Sequence, residues 1–238
     1  MNLLLCEPDE VDSGGQAELK GPRAEHLRKI LRLKAGDSVA AGIIGRGTGK
    51  GRIESLSPGY ALLTIHVTDP PETLYPLSLA VGMVRPIQTR RILKTAAAFG
   101  IREICFVPTA LGEASYREAK IWDSYRDFLV EGASQGGICS LPEVLRFASL
   151  KEFLEKTQHR DGRILFDLAD TAAAPPEKSR EALILIGSER GWTGKEHREI
   201  LDAGFQLRGL GRRILTTETA CTAATALTLR ELGLFLAP

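Results

Sequence analysis

Three prolines within seven residues, Pro70, Pro71 and Pro76, constrain this chain more than any other feature. Each fixes φ and removes a backbone donor, so neither a continuous helix nor a central strand can run through them. The hydrophobic period differs on the two sides. Before the prolines, short alternating apolar runs cover 38–44, 51–56 and 60–67, punctuated by Gly, Pro and Ser, with one helical stretch over 23–33. A small β-barrel is expected there. After them, strands over 77–84, 103–107, 163–168, 182–187 and 206–209 alternate with helices over 89–99, 120–134, 150–156, 193–203 and 218–232. That alternation is the pattern of an α/β fold with a parallel sheet. Thr193 and Glu196 have capping-box spacing and mark a helix start. The expected domains are 1–72 and 73–238.

The chain has 238 residues, 43% hydrophobic and 26% charged, which excludes a disordered or fibrous protein. Its apolar runs fall far short of the ~20 residues of a membrane helix. Cys6, Cys105, Cys139 and Cys221 lie far apart, and His26, His66, His159 and His197 show no ligand spacing, so neither disulfides nor a metal is expected. These features together predict a cytoplasmic protein with no membrane association.

The net charge of +1 hides a polarisation. Residues 20–52 hold nine basic and two acidic side chains, a local 9 − 2 = +7, and residues 85–102 hold five basic and no acidic ones. Arg28, Arg32, Arg46, Lys50, Arg90 and Arg91 are therefore candidates for contact with a polyanion, since neutralising phosphates releases counterions. A solvated surface balanced by the acidic first nineteen residues explains the same charges equally well.

Gly45–Gly51 looks like a phosphate loop, but Ile44 stands where its first glycine belongs and Gly51 where a magnesium-binding Ser or Thr belongs. A glycine-rich hairpin is the better reading. No dinucleotide fingerprint and no nucleophile elbow is present. The informative segments are 187–192 and 210–220, two glycine-bearing loops at the carboxyl ends of strands, where open parallel sheets place ligands. Either loop alone reads as a tight strand-to-helix turn; the pair points to a pocket.

The string Ile186-Gly187-Ser188-Glu189-Arg190-Gly191-Trp192-Thr193, with Glu196, followed by Gly209-Leu210-Gly211 and Arg213-Ile214-Leu215, then Thr217-Glu218-Thr219-Ala220, closely resembles the signature of the 16S ribosomal RNA uracil-N3 methyltransferases of the SPOUT class. His26–Asp37 is similar to that family's N-terminal motif. Looser matches lie at Lys94–Gly100 with Ile104 and Pro108, and at Glu131, Ala133, Gln135 and Pro142.

The resemblance implies a PUA-like RNA-binding barrel, then an α/β domain with a C-terminal trefoil knot, acting as a homodimer on 16S ribosomal RNA. It implies S-adenosylmethionine bent between three loops, held by Leu165, Phe166, Ile186, Gly187, Ser188, Glu189, Gly191, Leu210, Gly211, Ile214, Leu215, Thr217 and Ala220. Ile186 and Ile214 would pack the adenine. The helix from Glu218, with Ala220, Ala223, Ala224 and Ala226, would lie at the dimer interface, although an ordinary core face has the same spacing. Glu189 and Glu218 are candidate bases for the N3 proton, with capping preferred for Glu218; Arg190 and Arg212 are candidates for contact with phosphate or the base anion, or for plain solvation.

The substrate side departs from the family pattern. Ile138 and Ser140 stand at positions that are usually or sometimes basic, Thr216 at one often held by arginine, and Ser188-Glu189-Arg190-Gly191 replaces Pro-Glu-Gly-Gly. Either Arg90, Arg91 or Arg190 takes over RNA contact, or a different uridine is methylated. A non-catalytic RNA-binding assembly protein and a methyltransferase for another RNA position use the same fold.

Overall fold

The structure is a computed structural model that describes residues 3–168 and 180–234. Its backbone contacts divide it into two compact units, 1–73 with 130–141, and 74–129 with 142 onward.

The first unit contains β1 (Leu4–Cys6), β2 (Gln16–Lys20), β3 (Ser38–Ile43), β4 (Gly47–Ser57) and β5 (Tyr60–Asp69) in the order β1-β3-β4-β5-β2. It is an open, half-barrel sheet in which β3, β4 and β5 are antiparallel and β1 runs parallel to β3. Alternation along β2 buries Ala17 and Leu19 against Leu27, Val39, Ile53 and Leu63, which form the core. Gly45–Gly51 is the β3–β4 turn and the start of β4, as the hairpin reading requires.

The helix expected over 23–33 is much shorter. Pro22 opens α1 (Pro22–Glu25), which passes into a π-turn over His26–Ile30, and Arg32 is left-handed at φ 54°. Residues 130–141 also belong here. Ala133 and Cys139 pack with Leu3, Leu5 and Ile44, and the Leu3 N–H donates to the Ser134 carbonyl at 2.9 Å. Ile138 packs against the same cluster, and the Ser140 hydroxyl donates to the Glu72 carbonyl at 2.6 Å.

The second unit is a six-stranded parallel sheet in the order β11-β9-β10-β6-β7-β8, formed by β6 (Tyr75–Gly82), β7 (Ile101–Val107), β8 (Glu143–Arg146), β9 (Arg163–Phe166), β10 (Ala182–Ile186) and β11 (Gln206–Arg208). Every residue of β10 is buried, as a strand covered on both faces must be. The helices are α2 (Pro86–Phe99), α4 (Leu150–Thr157), α5 (Gly194–Asp202) and α6 (Thr217–Glu231), while α3 (Tyr125–Gly136) begins here and its residues from 130 onward belong to the first unit. Pro86 at the start of α2 and left-handed Gly100 after it delimit that helix.

A buried ion pair ties the sheet together. The Arg160 guanidinium donates to both Glu103 oxygens at 2.6 and 3.1 Å and to the Ser78 hydroxyl at 2.9 Å. Residues 169–179, between β9 and β10, lie outside the described residues. No described helix is long and apolar enough to cross a membrane. All four cysteines are free and buried.

Candidate functional site

β10, β9 and β11 are parallel neighbours, so the loops leaving their carboxyl ends emerge on one side of the sheet. Those loops enclose an open cavity of about 350 Å³, within the range of small-molecule sites. Phe166, Asp167 and Leu168 line it from the first loop, Ile186–Trp192 from the second, and Leu210, Gly211, Arg213, Ile214 and Leu215 from the third, with Thr217 and Ala220 of α6.

The second loop is held rigidly. A Cβ on Gly187 would lie 2.9 Å from the Gly191 Cα, Gly191 is left-handed at φ 69°, and its N–H donates to the Ser188 carbonyl at 2.9 Å. The Ser188 and Thr109 hydroxyls are 3.0 Å apart. Beneath the loop, a side chain on Gly82 would strike the Ser188 backbone nitrogen. The expected capping box is present: Thr193 accepts from the Glu196 N–H at 3.2 Å and its own N–H donates to Glu196 at 2.8 Å. The other Glu196 oxygen accepts from the Ala110 N–H at 2.7 Å, which fixes this turn to the loop after β7.

The third loop is anchored at both flanks. Arg208, at the end of β11, makes two 2.7 Å hydrogen bonds to Glu231 near the end of α6. Glu218, at the start of α6, accepts from Arg91 of α2 at 3.0 Å. Between these anchors the backbone groups of 210–215 form no hydrogen bonds with other backbone groups among the described residues. Ile214 is 84% exposed, and Gly211 adopts φ 100° with nothing within 4 Å of the position a Cβ would take. Unpaired backbone and an uncovered apolar side chain beside a cavity are what a flat, polar-edged ligand requires.

The structure brings most of the expected residues together and separates a few. Leu165 does not line the cavity: alternation along β9 turns it into the core with Leu183 and Leu185 while Phe166 reaches the wall. Glu189 and Arg190 are at the cavity, and the Glu189 carboxylate accepts from the Arg85 N–H at 3.0 Å. Glu218 is turned away to Arg91. Burial pushes its carboxyl up, but its own backbone N–H, Arg91 and Thr216 outweigh this and hold it below the ordinary carboxylate range. Such a group is a poor proton acceptor and a good helix-start anchor. Arg91 is committed to that ion pair, and the Arg90 guanidinium stacks over Phe128 at 5.0 Å. Thr216 stands at the N-cap position of α6 without a capping bond to a backbone N–H, its hydroxyl 2.9 Å from that of Thr219. Arg46 and Lys50 are exposed in the first unit.

Asp167, Leu168, Trp192 and Arg213 also line the cavity, although none of them is among the cofactor residues the resemblance implies. The Asp167 carboxylate lies 3.7 Å from His197 Nε2 and accepts from the Leu168 N–H at 2.7 Å. Trp192 is 9% exposed and its buried Nε1–H has no partner, an orphaned donor in the cavity wall. Trp192 and Arg213 stand inside the two signature strings, while Asp167 and Leu168 belong to the loop after β9, to which only the resemblance pointed. No cluster of His, Cys, Asp and Glu suited to a metal occurs among the described residues.

Residues 70–229 match the family described as RNA methyltransferase domain, and residues 19–65 the family described as RNA methyltransferase PUA domain. A ribosomal RNA small subunit methyltransferase E of Treponema pallidum is 33% identical over 241 residues, covering 96% of this chain and 91% of that protein. The chain belongs to the ribosomal RNA small subunit methyltransferase E family. The family's protein 1 from Borreliella burgdorferi is 34% identical, covering 98% of this chain and 99% of that one. A crystal structure of the Neisseria gonorrhoeae family member bound to S-adenosyl methionine superposes with a TM-score of 0.77 at 24% identity, over 97% of this chain and 98% of that one. At that identity the likeness shows the fold.

Proposed function

We propose that the protein methylates N3 of a uridine in 16S ribosomal RNA, using S-adenosylmethionine held in the cavity beyond β9, β10 and β11. The reading rests on one observation: the two signature loops and the loop after β9 line a single cavity. The residues there fit the cofactor. The glycine cradle of 187–191 and the open backbone of 210–215 suit an adenine and its polar edge, Ile186 and Ile214 supply apolar faces, and the orphaned Trp192 N–H needs an acceptor. Asp167, with one oxygen fixed by Leu168, is placed to accept from ribose hydroxyls.

When bound, the cofactor supplies an activated methyl on a sulfonium. The chain's contribution is then alignment and exclusion of water. Glu189, at the cavity and partly exposed, is the carboxylate available for the N3 proton. Arg190 and Arg213 are available to the anion that forms. N3 lies on the Watson–Crick edge, so the target base must be unpaired or extruded. The exposed cations of the first unit, Arg32, Arg46 and Lys50 among them, hold flanking RNA; Arg28 is shared with Glu25. We assign 1–72 to RNA binding and 73–238 to catalysis, with a knotted C-terminus, a homodimer as the working form and the cytoplasm as its place. Incubating small-subunit RNA with the protein and labelled S-adenosylmethionine, then identifying the nucleoside by mass spectrometry, tests this. 3-Methyluridine is expected, and a labelled ribose or another base would overturn it.

A further inference from the structure

The residue that precedes helix α2 makes a contact that the helix itself does not need. β6 and β10 are parallel neighbours, paired from Leu77 with Ala182 to Val81 with Ile186, so the chain leaves both strands on the same side of the sheet. Beyond β6 it runs through Met83 and Val84 to Arg85, the N-cap of α2, with backbone at φ −55° and ψ 147°. Pro86 follows at the start of the helix and has no N–H to offer. Beyond β10 the chain runs through Gly187 and Ser188 to Glu189. The two paths meet 104 residues apart in the sequence: the Arg85 N–H donates to Glu189 Oε1 at 3.0 Å.

The guanidinium of Arg85 adds little to this contact. Its Nε lies 4.0 Å from the same oxygen and the side chain is 66% exposed, where water screens an ion pair. A hydrogen bond to Tyr116 does most to raise its pKa, ahead of the charge of Glu189. The backbone donor is different. The Arg85 side chain makes no capping bond, and the Arg85 N–H has no other partner among the described residues. The positive end of the helix dipole favours a carboxylate at this point. Glu189 Oε2 makes no hydrogen bond or ion pair among the described residues, and Glu189 lines the cavity. One carboxylate oxygen is thus seated and the other is free.

We infer that Arg85 is a positioning residue: its backbone N–H fixes Glu189 Oε1 and so presents Oε2 to the N3 proton of the uracil. An unheld glutamate spreads over many rotamers, and a base acts only within hydrogen-bond reach of the proton it takes. In the transfer the N3–H bond breaks with its electron pair left on nitrogen, an O–H bond forms at Oε2, and the proton passes to solvent when product leaves. The role rests on the methylation proposed above and specifies how its base is held.

The test uses variants of the full chain. Proline's φ of about −65° matches Arg85, so Arg85→Pro deletes the N–H without requiring a new backbone conformation at that residue. Its kcat for 3-methyluridine formation is expected to fall roughly tenfold, the size of one hydrogen bond to a charged group, with KM for RNA and the calorimetric affinity for S-adenosylmethionine unchanged. Arg85→Ala keeps the N–H and is expected to lose about threefold, from the screened guanidinium alone. Glu189→Gln is expected to lose roughly 100-fold, and adding Arg85→Pro to it about twofold at most, since the two residues act as one unit. Independently of activity, the Arg85 amide proton is expected to move upfield in nuclear magnetic resonance spectra of Glu189→Gln, as a bond to a charged acceptor becomes one to a neutral acceptor.

An unmoved Arg85 amide signal, wild-type kcat in Arg85→Pro, an equal loss in Arg85→Ala, or additive losses in the double variant overturns the assignment. Wild-type kcat in Glu189→Gln overturns it too, and leaves the methylation standing with another base. Should Arg85→Pro not fold, the amide signal decides. Absence of 3-methyluridine from the wild-type reaction overturns the proposed function itself.

Discussion

Gly82→Ala is the substitution that most sharply separates packing from binding in this protein. Gly82 ends β6 directly beneath the second cavity loop. A Cβ there would overlap the Ser188 backbone nitrogen and lie 2.7 Å from Thr109 Cγ2 and 3.0 Å from the Gly187 carbonyl carbon. Two of the three neighbours are backbone and cannot rotate away. The 188–109 hydroxyl pair and the Glu196 bond to Ala110 hold the loop on its other sides, so relief requires the loop to move by several tenths of an ångström. Overpacking of this kind costs about 1–3 kcal/mol. At roughly 2–4 °C per kcal/mol for a chain of this size, the thermal midpoint falls by about 2–12 °C. Displacing the loop misaligns the backbone that would meet the cofactor, so titration calorimetry with S-adenosylmethionine is expected to show about a tenfold loss, about 1.4 kcal/mol, at a temperature where the variant is folded. Gly194→Ala is the control: nothing lies within 4 Å of its Cβ position, and neither readout should change. Wild-type cofactor affinity in Gly82→Ala would refute the reasoning, because it would mean that the geometry of 187–191 is irrelevant to the ligand.

Gly211→Val puts a branched side chain at φ 100° beside the cavity and is expected to abolish cofactor binding while the far-ultraviolet circular dichroism stays native; retained affinity would remove the third loop from the site. Trp192→Phe removes the orphaned donor while keeping an aromatic ring in the wall, so cofactor affinity should fall about three- to tenfold in calorimetry, measured at a temperature where the variant is folded. For the buried pair, burial pushes the Glu103 carboxyl up, but Arg160 and Cys105 outweigh it and leave it below its ordinary value. A depressed carboxylate stabilises the fold above its unfolded pKa of about 4.3, and that contribution is lost as pH falls through the folded value. Arg160→Met is therefore expected to cost about 3–5 kcal/mol at pH 7 in urea titrations, and less when measured near pH 4, where Glu103 can protonate.

Much of the fold is legible in the sequence because its periods are long enough to read. The alternation over 38–67 and the strand–helix alternation beyond 77 find their elements, but the break ends earlier than expected: Pro76 is the second residue of the interior strand β6, where the pairing with β7 is interrupted between Tyr75 and Ser78. β1 and β8, three and four residues long, are not among the strands the sequence marks. β2 alternates, but its polar half reads first as charge. The π-turn at His26–Ile30 escapes because the apolar spacing that announces a helix cannot specify which carbonyl each N–H will reach. Local pattern likewise cannot tell that 130–141 packs with Leu3 and Ile44, a relation set by partners far away in the chain. In the site, glycines mark the loops themselves. Which wall residues face the ligand depends on the pleat of β9, which sends Leu165 inward and Phe166 outward, and on the three strands being neighbours.

The most direct measurement is a titration of S-adenosylmethionine into the wild-type protein by calorimetry, with Gly211→Val alongside. One saturable site per chain in the wild type, absent from the variant, is the predicted result. No binding to the wild type, or equal binding to both, would contradict the assignment of the cavity.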